Sequence, residues 1–127
     1  SGSSIPMRGV ERVVCLLEAG HLTPSEPLGD LLRRWSPVDA IKVYMAAGLY
    51  ERVARGYVEC ALEEPDGDSA VEIVVQLLLL AEEEDFDPNL QGIVQVLLQE
   101  KGRAAAERAA LLCAGAMQRY RRPDLNL

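Results

Sequence analysis

One histidine, three cysteines and twenty carboxylates are the side chains of this sequence best suited to metal or acid–base chemistry near neutral pH. His21 follows Gly20 in an expected turn, and no cysteine or carboxylate stands around it at metal-ligand spacing. It reads as a solvated loop residue. Cys15, Cys60 and Cys113 lie far apart, with no close pair to ligate a metal and an odd total. Each falls on an apolar helical face, so they read as buried thiols of a reducing compartment. Asp66-Gly67-Asp68 and Glu84-Asp85-Phe86-Asp87 share only their acids with calcium loops, because the spacing of an EF-hand does not follow. The sequence holds no Ser/His/Asp arrangement with local support, no glycine-rich phosphate loop and no H-E-x-x-H. Paired carboxylates do acid–base work only where a pocket separates their pKa values, and no residue here announces one. The expectation is a protein that is not an enzyme and needs no metal or cofactor.

The carboxylates matter more by where they gather. Between Arg55 and Lys101 there is no basic residue and there are twelve acidic ones. From Lys101 onward six basic residues stand against two acidic, and the first 55 residues carry seven against six, for a net charge of −7. A negative centre and a positive C-terminal segment containing Arg119 offer a pair of docking surfaces. Glu82, Glu83, Glu84 and Asp85 collect where a helix should end, and there the macrodipole disfavours negative charge. Asp87 is expected to cap the following helix. The other four acids have no such local role, which points to a basic partner or a neighbouring helix end.

The elements that position these residues follow from apolar spacing. We expect an all-α chain of about seven short helices, arranged as a stack of α-hairpins or a compact bundle. The first runs from Met7 to Ala19 with Val10, Val13, Val14 and Leu17 on one face. A second follows Pro24-Ser25-Glu26-Pro27 and carries Leu28, Leu31, Leu32 and Trp35 in one stripe. Ser36-Pro37 is a cap followed by a proline suited to the first helical position, and it opens a pair of helices that turns at Gly48 and closes at Pro65. The apolar faces of that pair are Val38, Ile41, Tyr44 and Met45, then Leu49, Val53, Tyr57, Cys60 and Ala61, with Lys42, Arg52, Arg55 and Glu59 on the other sides. Ser69 with Glu72 forms a capping box for a fifth helix ending near Glu83. Its middle, Ile73 to Leu80, is apolar nearly all round, which suits the centre of a domain; a buried strand is the rival reading for so short a run. A sixth helix begins at Asp87-Pro88 and turns Leu90, Ile93, Val94, Leu97 and Leu98 inward as far as Glu100. The last runs from Arg103 to Arg121, packing closely through its alanines and more bulkily through Leu111, Leu112, Met117 and Tyr120.

With 127 residues, 49% apolar and 26% charged, the chain suits one globular domain over residues 7–122, with a tag remnant or disordered start at 1–6 and a frayed tail at 123–127. Ser1-Gly2-Ser3-Ser4 reads as the tag remnant, and no signal peptide is recognised. The longest apolar run is far short of the roughly 20 residues a membrane helix needs. An intracellular protein, cytoplasmic or nuclear and without a membrane partner, is expected.

The segment 36–65 resembles a tetratricopeptide repeat and, less closely, a pentatricopeptide repeat. Tyr44 stands late in the first helix, Gly48 in the turn and Tyr50 just after it, while Tyr57, Cys60 and Pro65 match the second aromatic, the small residue and the closing proline. The resemblance implies that Tyr44 packs against the second helix of the pair and that a concave face is lined by Trp35, Val38, Lys42 and Met45, with Lys42 able to hold a carboxylate. It also implies an adaptor or scaffold module that binds a partner peptide or helix. The surfaces expected to bind a protein partner are therefore Trp35, Lys42 and Met45, the acids Glu82 to Asp85, and Arg119; a homodimer is compatible with either. A nucleic-acid-binding helical module is the alternative. The charge of −7 opposes it, because backbone binding needs clustered Lys and Arg to displace counterions.

Overall fold

A computed structural model describes residues 5–114. The described chain is all-α, with seven helices and no strand. They are α1 (Ile5–Glu18), α2 (Glu26–Arg33), α3 (Pro37–Ala46), α4 (Tyr50–Glu63), α5 (Gly67–Glu84), α6 (Leu90–Lys101) and α7 (Arg103–Leu112). The run from Ile73 to Leu80 is helical. The chain divides into two compact units whose boundary falls inside α4, between Gly56 and Tyr57.

In the first unit the helix ends are set by local chemistry. Ser25 Oγ accepts from Leu28 N at 3.3 Å, and Ser36 Oγ accepts from Asp39 N at 3.3 Å, so each serine satisfies an orphan donor of the first turn. Gly48 adopts φ +74°, which lets Leu49 N reach back to the Tyr44 carbonyl at 2.9 Å and ends α3. The tight pairing is between α2 and α3. Ala40, Val43 and Tyr44, spaced i, i+3 and i+4, form the buried face of α3, while Val38 is 60% exposed. The expected inward face is thus rotated by about a residue, because α3 turns toward α2. Along α2 only Leu32 of the expected apolar stripe is fully buried; Leu31 and Trp35 are exposed, and Gly29 is buried instead.

Gly29 is buried because Tyr44 lies on it. A Cβ at that position would stand 2.7 Å from Tyr44 Cδ1 and closer still to Cε1, so no larger residue fits beneath the ring. The resemblance implied that Tyr44 would pack on the second helix of its pair. Its ring rests on α2, and α4 contributes the Arg52 guanidinium, 5.8 Å from the ring centroid. Helices α3 and α4 approach where Gly56 faces Ile41: a Cβ on Gly56 would meet Ile41 Cγ1 at 2.7 Å.

The second unit is built on α5, which buries Ala70, Val71, Val74, Leu77, Leu78 and Ala81. Its cap is Asp66, whose Oδ1 accepts from Ser69 N at 2.7 Å; Ser69, the expected cap, lies inside the first turn. A carboxylate so placed satisfies a free N–H and meets the positive end of the helix dipole. Helix α5 is not covered all round, since Gln76 and Leu79 face outward. It ends at Asp85, in the left-handed conformation at φ 59°, with Phe86 N bonded to the Ala81 carbonyl at 3.0 Å. Asn89, not Asp87, caps α6, and Asp87 Oδ1 accepts from Asn89 N at 2.8 Å. Leu90, Ile93 and Leu97 are buried along α6, while Leu98 is exposed.

Helix α7 packs on both α5 and α6. Its contact residues are Ala105, Ala106 and Ala109, all buried, and a Cβ on Gly67 would meet Ala105 Cβ at 3.0 Å. Alanines thus bring the helix axes close, as the sequence suggested. Leu111 and Leu112, expected as the larger contacts, are 77% and 55% exposed. The continuation to Arg121, with Met117 and Tyr120, lies outside the described residues.

Candidate interaction surfaces

A polar cluster in the first unit ties three helices together. The Tyr44 hydroxyl donates to Asp30 Oδ1, and Arg52 bridges Glu26 Oε1 at 3.0 Å and Asp30 Oδ1 at 3.5 Å. Burial, then the hydrogen bond and charge of Asp30, push the Tyr44 phenol up to about 12. A phenol held protonated while it donates to a carboxylate is a structural tie. Apolar spacing had placed Arg52 outward, and neither its bridge to Glu26 and Asp30 nor the Tyr44–Asp30 hydrogen bond was legible in the sequence.

Of the three cysteines expected as buried thiols, only Cys113 is fully buried. Cys15 is exposed, Cys60 is half-buried and Cys113 is buried. Burial raises the thiol pKa of Cys113; at Cys60 burial acts first and the surrounding Glu63, Glu59 and Glu64 add to it. A raised thiol pKa works against the thiolate that nucleophilic or ligand chemistry requires. Among the described residues no group of three or more His, Cys, Asp or Glu is placed to hold a metal ion. No described helix is long and apolar enough to cross a membrane.

What remains is exposed apolar surface, in two places. In the first unit Leu31, Trp35 and Val38 are 46%, 45% and 60% exposed. Trp35 lies in the turn between α2 and α3, where its N–H bonds the Leu32 carbonyl at 3.0 Å. Of the expected concave-face residues, Trp35, Val38 and Lys42 are exposed and Met45 is half-buried. Lys42 already has a carboxylate partner, Asp39 at 3.5 Å.

In the second unit α5 and α7 border a groove of about 290 Å³ lined by Asp68, Val71, Glu72, Val75, Arg108 and Leu112. Gly67 faces Ala105, Asp68 pairs with Arg108 at 2.6 Å, and Val75 and Leu112 line the same groove further along, so the two helices run side by side in the same sense. Leu79, 59% exposed, is one turn beyond Val75 on the same face of α5. Glu82, Glu83, Glu84 and Asp85 are exposed at the end of that helix. Asp85 has a local role that the sequence did not disclose, as the left-handed residue that stops α5. The proposed partner-binding residues therefore fall in both units, Trp35, Lys42 and Met45 in the first and Glu82 to Asp85 in the second. Arg119 lies outside the described residues.

Comparison with protein-family models, with curated proteins and with solved structures finds no match to this chain. The tetratricopeptide likeness consequently rests on the residues of segment 36–65 alone.

Proposed function

We propose that this protein is an interaction module, an adaptor or scaffold domain that binds another protein through exposed apolar helix faces. The observation that carries the reading is the apolar, acid-edged groove of the second unit. Val75 and Leu112 line it, and Leu79 lies one turn beyond Val75 on the same face of α5, where water contact costs free energy that a partner would recover at roughly 25 cal/mol per Å² removed from solvent. Leu31, Trp35 and Val38, each exposed in the first unit, offer further apolar surface, and they include the tryptophan, a side-chain type enriched at binding hot spots.

The test is site-specific photo-crosslinking in the cells that make the protein, with the reactive group placed in turn at Leu79, Leu112 and Val38. Gln95 and Glu107, both exposed and polar, serve as controls. The reading expects defined protein adducts from at least one apolar position and none from the controls. Equal background from every position would remove it.

A further inference from the structure

We infer that the α5–α7 groove is built for one class of partner, a short amphipathic helix with a basic residue at each end of its apolar stripe. This inference rests on the interaction reading above and deepens it. Its basis is the order of side chains on the outer face of α5. Glu72, Val75, Leu79 and Glu83 are spaced i, i+3, i+7 and i+11, which on an α-helix is one straight stripe. The two central residues are apolar, and Leu79 is 59% exposed. The two ends are exposed glutamates, three turns or about 16 Å apart along the axis. Neither glutamate has an ion-pair partner among the described residues, whereas Asp68, one turn before Glu72, is already matched by Arg108.

The opposite wall supplies Leu112, 55% exposed, with Arg108 one turn before it. Val71, Val75 and Leu112 give the groove its apolar part, Asp68 and Arg108 neutralise each other, and among the described residues the charge left unbalanced at Glu72 and Glu83 is negative. A helix lying in this groove would seat two or three apolar side chains between Val75, Leu79 and Leu112 and bring residues eleven apart over Glu72 and Glu83. Lysine or arginine at those places completes two ion pairs, while glutamate there meets like charge at both ends, so the same contacts select for a basic partner and against an acidic one.

The test uses the full chain and two synthetic peptides, capped at both ends and helical in solution. They carry the same leucine stripe, flanked eleven residues apart by arginines in one and by glutamates in the other. Binding is read by fluorescence anisotropy at two salt concentrations. The arginine peptide is expected to bind at least tenfold more tightly than the glutamate peptide, with the difference shrinking at high salt. The double variant E72K/E83K should reverse the preference, and Leu79→Asp should weaken the arginine peptide at least tenfold with the helical circular dichroism unchanged.

Equal affinity for both peptides, or an unchanged preference in E72K/E83K, overturns the inference. So does a tenfold gain in peptide affinity on reversing Arg119, Arg121 and Arg122, which would make the chain itself the occupant. Concentration-dependent self-association abolished by Leu79→Asp would name a second copy instead and overturns it equally. If neither peptide binds while a crosslinked partner at Leu79 is still captured, the partner chemistry assigned here is wrong and the interaction reading stands.

Discussion

The two units solve the same problem, bringing short helices close enough to bury a core, in different ways. The first seats an aromatic ring on a glycine and fixes it with charge: Tyr44 lies over Gly29, donates to Asp30, and is covered by Arg52, which also bridges Glu26. The second uses methyl groups, Ala105, Ala106 and Ala109 of α7 on α5 and α6, with Gly67 giving way to Ala105. Its polar ties include the exposed pair Arg108–Asp68 and the Lys101 ammonium donating to the Glu64 carbonyl. An exposed ion pair contributes about 0–1 kcal/mol, so the Arg108–Asp68 pair adds little beside the burial along α7. A ring held by a polar network has one permitted orientation. A row of alanines holds helices close but leaves large neighbouring side chains outside, as at Leu79, Leu111 and Leu112.

The largest effects should come from removing what each unit closes around. Tyr44→Ala takes away a ring that is 3% exposed and should cost about 3–5 kcal/mol in urea unfolding. Leu77→Ala, at a fully buried position of α5, should cost about 2–5 kcal/mol. If Leu77→Ala costs under about 1 kcal/mol, the second unit does not rest on the burial assigned to it.

The next pair of changes distinguishes the two kinds of packing. Ala109→Leu adds bulk where α7 is completely buried and should cost about 1–3 kcal/mol through overpacking. Tyr44→Phe keeps the ring and removes only the donor to Asp30, so a smaller loss, about 0.5–1.5 kcal/mol, is expected. The phenol also gives the first unit a pH signature. Its pKa rises on folding from 10.0 to about 12, so the protonated form is favoured in the folded state. The associated stability is fully present below pH 10 and is lost as pH climbs toward about 12. Urea midpoints measured over that range should fall for the wild type and fall less for Tyr44→Phe. Parallel curves would show that the hydroxyl contributes nothing to the alkaline transition.

Much of the helical pattern was legible because its signals are local. Ser36 as a cap, Gly48 as a turn and the alanines of α7 as packing residues follow from properties of the residues themselves. What could not be read depends on a second element. Gly29 resembles a helix breaker until Tyr44 is placed on it, and Arg52 resembles a solvated residue until Glu26 and Asp30 face it. The stripe of α2 misled for the same reason: four apolar residues at helical spacing predict a buried face, and α3 covers only part of it. At the candidate surfaces the acids of α5 were legible by their charge, and the groove beside them was not, because it exists only where α7 lies along α5. Asp66 displaced Ser69 as the cap because its carboxylate, three residues nearer Pro65, takes the Ser69 N–H and starts the helix at Gly67.

The smallest expected effect bears on whether the second unit can spare its acids for a partner. Glu83 and Glu84 lie in the last turn of α5, beside carbonyl groups that carry the negative end of the helix dipole. Reversing both to lysine replaces an unfavourable interaction with a favourable one. Stability should therefore rise, by about 0.3–1 kcal/mol for each charge at low ionic strength, and the gain should shrink as salt screens exposed charges over roughly 8–10 Å. Asp68→Lys is the matched opposite, because it puts a positive charge in the first turn of the same helix and breaks the pair with Arg108; it should lower stability. The two variants are compared by urea unfolding across a salt series. A gain for the first and a loss for the second, both fading with salt, would mean that Glu83 and Glu84 are retained against the interest of the fold. A loss above about 1 kcal/mol on reversing Glu83 and Glu84 would instead make them structural, erase the contrast between a unit that uses its charges internally and one that leaves them outside, and leave the groove without its acidic edge.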